Sequence, residues 1–167
     1  MKYSIPTAAN DPAVAAYVKL IRTAEALHAE VTRGLTAEGL TASQFSTLKV
    51  LRMRGPLPQR DIANYLLKTG ANVTMVVDNL ESRELVKRTR DTADRRIVTV
   101  SLTPEGERLF DLVYPPHLER IRLAMKGLDE EGCGDLTSLL SQLHTTIAEP
   151  LCVATGTEEP LVLRTAS

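Results

Sequence analysis

A run of basic side chains between residues 83 and 96 could bind a polyanion. It holds six cations against three anions, a local charge of +3 in a chain whose net charge is −1. The cations are Arg83, Lys87, Arg88, Arg90, Arg95 and Arg96. Clustered Lys and Arg neutralise phosphates and favour nucleic-acid binding, but a solvated charged face has the same composition. Charge alone leaves both interpretations open, so the elements around the run must decide between them.

The segment before this run predicts a helix-turn-helix. Thr41 and Gln44 match a capping box that opens a helix, which we expect to end at Gly55. Pro58 suits the first turn of the next helix, and Thr69 suits the N-cap of a third. The apolar residues of that third helix stand at i, i+3, i+4 and i+7, which predicts one buried face: Val73, Val76, Val77 and Leu80. Two short helices joined by a tight turn form the expected motif.

The basic run itself predicts a β-hairpin. Residues 85–90 and 97–102 are β-prone, and the charged segment 91–96 between them is typical of a turn. Packed behind a helix-turn-helix, such a hairpin is a wing. The predicted fold class is therefore mainly α with a small β-hairpin wing, with the winged domain over residues 41–103.

Long helices are expected on both sides of this domain. Asp11 and Pro12 match a cap and a first-turn proline, and they open a dimerisation helix over 11–38. Residues 104–149 predict two C-terminal dimerisation helices, the first kinked or interrupted at Pro115-Pro116 and the second ended by Pro150, with a flexible tail over 150–167. Their apolar stripes need a partner, and a second copy in a homodimer is the commonest one.

Several motifs in order resemble those of the MarR family. Asp94 to Thr103 matches D-x-R-x-x-x-V-x-L-T, and further matches lie at 40–45, 55–63 and 73–81. The resemblance covers about residues 12–148. It implies a winged helix-turn-helix fold, interlaced outer helices in a dimer, and a sequence-specific, DNA-binding transcriptional regulator. It also implies a pseudo-palindromic operator and a repressor released by a small aromatic or phenolic effector or by cysteine oxidation.

The candidate DNA-binding residues lie in the helix-turn-helix and the wing. Asn72 can pair with adenine, and Thr74 or Met75 can contact a thymine methyl group. The resemblance makes Arg96 the wing arginine, which enters the minor groove and is oriented by Asp94. The full set is Arg60, Lys68, Thr69, Gly70, Ala71, Asn72, Thr74, Met75, Arg88, Asp94, Arg95 and Arg96. Unlike many family members, this sequence has no Lys or Arg from 69 to 82, which leaves the usual scheme of base recognition open.

An effector site is harder to predict. The family pocket lies between the dimer helices and the winged domain, where Tyr17, His28, Met53 and Tyr114 are candidate lining residues, although each also suits plain core or surface. The urate-responsive branch uses a tryptophan, and this chain has none. Cys133 is the candidate for redox sensing, because a cysteine near a helix N-terminus can have a lowered pKa.

Other function classes find little support in the sequence. The three histidines are scattered, so no metal site is predicted, and no cofactor motif or catalytic constellation is present. The chain is therefore not expected to be an enzyme. No apolar run reaches the ~20 residues that span a bilayer, which predicts a cytoplasmic protein without membrane contact. A winged-helix protein-interaction module without DNA binding remains the alternative, since the net charge is −1.

Overall fold

A computed structural model describes residues 11–90 and 97–155 of the chain. The elements are α1 (Pro12–Ala37), α2 (Ala42–Arg54), β1 (Leu57–Pro58), α3 (Gln59–Leu66), α4 (Gly70–Ser82), β2 (Val86–Arg90), β3 (Val98–Leu102), α5 (Pro104–Met125) and α6 (Glu130–Thr155). This order confirms the predicted fold class. The chain divides into two compact units, the first up to Ala124 and the second from Met125.

The helices of the first unit begin where the sequence predicts caps. The Asp11 carboxylate accepts hydrogen bonds from two backbone N–H groups in the first turn of α1. In the α2 capping box, Gln44 N donates to Thr41 Oγ1 at 3.2 Å and Thr41 N donates to Gln44 Oε1 at 2.8 Å. Thr69 caps α4. Each cap satisfies a donor that the helix itself leaves unpaired.

Two expectations about prolines are wrong, the interruption of α5 at Pro115-Pro116 and the end of α6 at Pro150, whereas a kink in α5 stays a prediction. α5 runs from Pro104 to Met125 through Pro115 and Pro116 without interruption. α6 continues past Pro150 to Thr155, so the predicted tail begins inside a helix. A proline removes one i→i−4 hydrogen bond and costs ~3 kcal/mol or more, but it does not forbid a helix that is held on both sides. In α5, buried residues both precede and follow the proline pair.

The wing is part of a three-stranded antiparallel sheet with the order β1-β3-β2. The predicted hairpin is present, with Val86 opposite Leu102 and Arg90 opposite Val98. β1 was not predicted: Leu57 pairs with Val100, and Pro58, which we expected in the first turn of α3, lies in this strand and at the α3 N-cap. The strand ties the wing to the link between α2 and α3.

One apolar core joins the end of α1, the three middle helices, the sheet and the first half of α5. Its most buried members are Leu35, Leu48, Ile62, Val73, Val77, Leu80, Val86, Val100 and Val113. The Phe45 and Phe110 rings stack at 5.8 Å between centroids. The first half of α5, predicted as a dimerisation helix, therefore also completes the core of the winged unit.

The chain packs closely where α4 is followed by the wing. Glu84 adopts a left-handed conformation with φ 59°, and Thr103 Oγ1 donates to its carbonyl oxygen at 2.6 Å. Thr103 N donates to Leu85 O at 3.1 Å. A Cβ added at Gly106 would overlap this same Leu85 carbonyl oxygen and lie 2.9 Å from its carbon. Only glycine lets α5 approach the backbone this closely.

Each unit also carries an exposed apolar face. On α1 of the first unit the face consists of Val14, Tyr17, Val18 and Ile21, and on α6 of the second unit it consists of Leu139, Leu140, Leu143 and Ile147. Contiguous apolar surface of this kind typically marks a contact with another molecule.

Over the described residues, no helix combines the length and hydropathy needed to cross a membrane.

Candidate nucleic-acid interface

α4 presents an uncharged surface of mixed polar and apolar side chains to solvent at its start. Val73, Val77 and Leu80 are at most 2% exposed and hold the helix on the core. The other side exposes Ala71, Asn72, Thr74 and Met75, the last 68% exposed. Such a helix can enter a major groove and bring its first residues to the base edges.

Some of the predicted residues at this end have structural tasks. The Thr69 hydroxyl accepts from Asn72 N at 3.4 Å as the helix cap. Thr74 Oγ1 donates to Gly70 O at 2.9 Å and accepts from Gln59 Nε2 at 2.7 Å. A Cβ at Gly70 would meet nothing within 4 Å. The glycine therefore leaves open space at the start of α4.

The predicted cations differ in their surroundings. Arg60 is an exposed side chain, 3.4 Å from Asp61, and Lys68 is exposed at the turn before α4. Both suit phosphate contact. Arg88 instead forms ion pairs with Asp78 and Glu81 of α4, so its charge is already neutralised within the chain. Asp94, Arg95 and Arg96 lie outside the described residues.

Two polar side chains that sequence reasoning missed hold α4 in place. Gln44 of α2 is 8% exposed and its Nε2 donates to Asn79 Oδ1. Gln59 of α3 bridges Thr74 and the Arg88 guanidinium. Gln44 was recognised only as half of a capping box, and nothing in the local sequence indicates its second contact, because its partner is 35 residues away.

A cleft of about 360 Å³ lies beside α4 within the first unit. Its walls come from α1, α2, α3, α4 and the turn before α4. Polar groups converge on it from His28, Ser43, Ser46, Lys68 and Asn72, and the apolar lining is Ala42, Leu66, Val73, Met75 and Val76. A concave, mostly apolar site with a few polar groups is typical of small-molecule binding.

The structure brings one of the four predicted effector residues into this cleft. His28 lines it. Tyr17 and Met53 do not line it and are 64% and 53% exposed. Tyr114 instead stacks on Phe110 with centroids 4.9 Å apart. Cys133 is a half-buried free thiol near the start of α6, and its redox role stays a prediction.

His117 is a buried titratable group outside the interface. It is 7% exposed, and its ring centroid lies 4.3 Å from that of Phe45. Burial, followed by the charges of Arg120 and Lys49, lowers the pKa of His117, and Glu38 opposes this shift. No group of three or more His, Cys, Asp or Glu side chains within residues 11–90 and 97–155 is arranged to hold a metal ion.

Comparison with known proteins identifies the family. The model of the MarR family matches residues 40–98. The HTH-type transcriptional repressor MdtR of Bacillus subtilis is 33% identical over 120 residues, which cover 70% of this chain and 77% of MdtR. This chain belongs to the MarR family. Its members are transcriptional regulators, and the chain is accordingly a DNA-binding transcriptional regulator with a winged helix-turn-helix.

Solved structures of MarR-family proteins support this assignment. BpsR of Bordetella bronchiseptica, whose DNA binding is regulated by 6-hydroxynicotinic acid, is 29% identical, with a TM-score of 0.71 over 77% of this chain and 98% of BpsR. Staphylococcus aureus MepR in complex with DNA is 26% identical, with a TM-score of 0.70 over 78% of this chain and 97% of MepR. These findings favour a DNA-binding regulator over a protein-interaction module, and the relatives are regulators rather than enzymes.

Proposed function

We propose that this MarR-family protein is a cytoplasmic homodimeric repressor. It binds a pseudo-palindromic operator through α4 and the wing, and it releases the operator when a small aromatic or phenolic molecule enters the cleft beside α4. Repression follows the example of MdtR, and release by a small molecule follows that of BpsR.

One observation carries the proposal of release. Lys68, Asn72 and Met75 line the cleft, and all three belong to the set predicted to contact DNA. A ligand in the cleft would therefore compete for, or reorient, the same side chains that meet the operator. A ligand shifts such an equilibrium only by its difference in affinity between the two states, and shared residues provide that difference directly.

Phosphate contacts must come from the edges of the DNA-binding surface. α4 contains no Lys or Arg, so Arg60 and Lys68 are the cations proposed for phosphates near it, and Arg95 and Arg96 are those of the wing. Changing Arg95 and Arg96 together to Ala should abolish operator binding. A matched double variant, Arg33→Ala with Arg108→Ala, removes two exposed arginines that pair with Glu30 and Glu105, and it should bind as the wild type does.

The first test is selection of binding sequences from a random duplex library at physiological salt. Recovery of an inverted repeat with half-sites about 10 bp apart, one helical turn, would support a dimeric, sequence-specific regulator. Recovery of no sequence above background, also after reduction and refolding to remove bound effector, would contradict the proposal.

Dimerisation is tested separately by sedimentation at equilibrium. A second copy would cover the apolar faces of α1 and α6, so Ile21→Glu or Leu143→Glu should produce monomers. Leu67→Glu is the control, because Leu67 is 91% exposed and lies outside both faces. A wild-type monomer, or equal behaviour of all three variants, would contradict the proposed dimer.

Effector binding is tested with hydroxylated benzoic and nicotinic acids, including 6-hydroxynicotinic acid. At millimolar concentration an effective acid should weaken binding to the selected duplex. Ser46→Leu, which places a larger side chain in the cleft lining, should keep DNA binding and lose the response. A response that persists in this variant would place the effector elsewhere.

A further inference from the structure

Arg88 joins the wing to the outward side of α4. It lies on β2, and its Nη1 is 2.6 Å from Asp78 Oδ1 and 2.7 Å from Glu81 Oε2. The backbone N–H of Arg88 donates to the other Glu81 oxygen at 2.9 Å. One residue thus binds both carboxylates of α4 with its side chain and one of them with its backbone as well.

The same guanidinium extends to the start of α4. Its Nε donates to Gln59 Oε1 at 3.1 Å, and Gln59 Nε2 donates to Thr74 Oγ1 at 2.7 Å. Its Nη2 donates to the Thr74 carbonyl oxygen at 3.4 Å. Thr74, Asp78 and Glu81 stand at i, i+4 and i+7, which is one stripe of the helix. The network therefore fixes the rotation of α4 about its axis relative to β2 and α3.

The charge of this network argues against a phosphate contact. One guanidinium faces two carboxylates, so the local charge is −1, and the Arg88 side chain is only 21% exposed. Burial lowers the pKa of Arg88, but the hydrogen bonds that its guanidinium donates to Glu81 and Asp78, together with the negative charges of these two carboxylates, outweigh it and raise the pKa above its ordinary value. A DNA phosphate approaching this point would meet acidic oxygens, which repel it.

We propose that Arg88 is a positioning residue for sequence recognition, which holds the base-contacting side of α4 in register with the wing and does not itself bind DNA. The inference rests on the proposal that α4 reads bases. Replacement of Arg88 should therefore reduce the preference for the operator without reducing the general affinity for DNA.

Arg88→Lys provides the sharpest test, because it keeps the charge but cannot form the planar, multiple contacts of the guanidinium. The probes are the duplex selected by the wild type and a random duplex of equal length. We expect affinity for the selected duplex to fall about tenfold, the scale of one mismatched base pair. Affinity for the random duplex and the slope against salt concentration should stay at their wild-type values.

Glu81→Gln is the second variant. It removes an acid, which favours DNA binding in general, yet it breaks the network and should lower the preference for the selected duplex. Lys87→Gln is the matched control on the neighbouring position of the same strand, and it should change both duplexes in the same proportion. Thermal unfolding establishes that each variant is folded.

Two results would overturn the inference. The first is an Arg88→Lys variant that keeps the wild-type ratio of selected to random affinity, which would show that the network does not position α4. Alternatively, Arg88→Gln could lower both affinities equally and reduce the salt slope by about 0.9, as expected for one lost phosphate contact. A wild-type protein that selects no sequence would overturn the proposed function and this inference together. The ratio of selected to random affinity in the Arg88 variants, in contrast, tests this inference alone.

Discussion

Gly106→Ala tests the close contact between α5 and the chain that leaves α4. A Cβ at this position would lie 2.9 Å from the carbonyl carbon of Leu85 and overlap its oxygen. Both atoms belong to the backbone, so no side-chain rotation can relieve the overlap. The strand or the helix must move by more than about an ångström to bring this Cβ to an ordinary contact distance from the Leu85 oxygen.

Two opposing effects decide how far Gly106→Ala changes the free energy of unfolding. Ala is favoured over Gly inside a helix by about 1 kcal/mol. Against this, forcing an extra methyl group into a packed site costs about 1–3 kcal/mol, and moving Leu85 also strains the hydrogen bond that Thr103 N donates to its oxygen at 3.1 Å, a bond worth about 1 kcal/mol. We expect a net loss of about 1–3 kcal/mol in the free energy of unfolding.

Urea unfolding followed by circular dichroism measures this loss. Gly134→Ala is the control, because Gly134 also lies in the early turns of a helix and a Cβ there meets nothing within 4 Å; it should be neutral or stabilising. Gly106→Ala should also weaken operator binding, since Leu85 immediately precedes the wing. Equal stability of the two variants would refute the reasoning.

Three further predictions concern single positions. Glu84→Gly should raise the free energy of unfolding by about 0.5–1 kcal/mol in urea titrations, since φ 59° suits glycine; a loss would contradict the strain argument. Because the folded state lowers the pKa of His117, stability should be complete above the unfolded value of about 6.5 and decline as pH falls below it. His117→Leu should flatten this decline and His144→Gln should not, as measured by urea unfolding between pH 5 and 8. Thr41→Ala should cost ~1 kcal/mol by loss of the α2 capping box, and a change near zero in thermal unfolding would show that the box contributes nothing.

Much of the fold was predictable because its signals are local. Caps such as Asp11 and Thr41 lie within three residues of the groups they satisfy. β1 was missed because two residues are too few to show alternation, and only the distant Val100 makes Leu57 a strand residue. Pro150 misled the prediction because a proline's cost is finite and the rest of a 26-residue helix can bear it.

The interface was predictable to the extent that it depends on one helix. The spacing of Val73, Val77 and Leu80 correctly predicted the buried side of α4 and hence its exposed one. Arg88 was predicted as a DNA contact because its charge is visible in the sequence, whereas its pairing with Asp78 and Glu81 is set by how β2 folds back on α4. The wing residues Asp94, Arg95 and Arg96 stay predictions.

The absence of cations from α4 has a consequence for how the regulator finds its site in a genome. Phosphate contacts supply most of the affinity for irrelevant sequence, and a chromosome offers about 10⁶–10⁹ such competing sites. If α4 reads the operator as proposed, its lack of positive charge adds nothing to the affinity for random DNA, and we expect fewer molecules to be sequestered along the chromosome. A small number of copies per cell would then be enough to keep the proposed operator occupied.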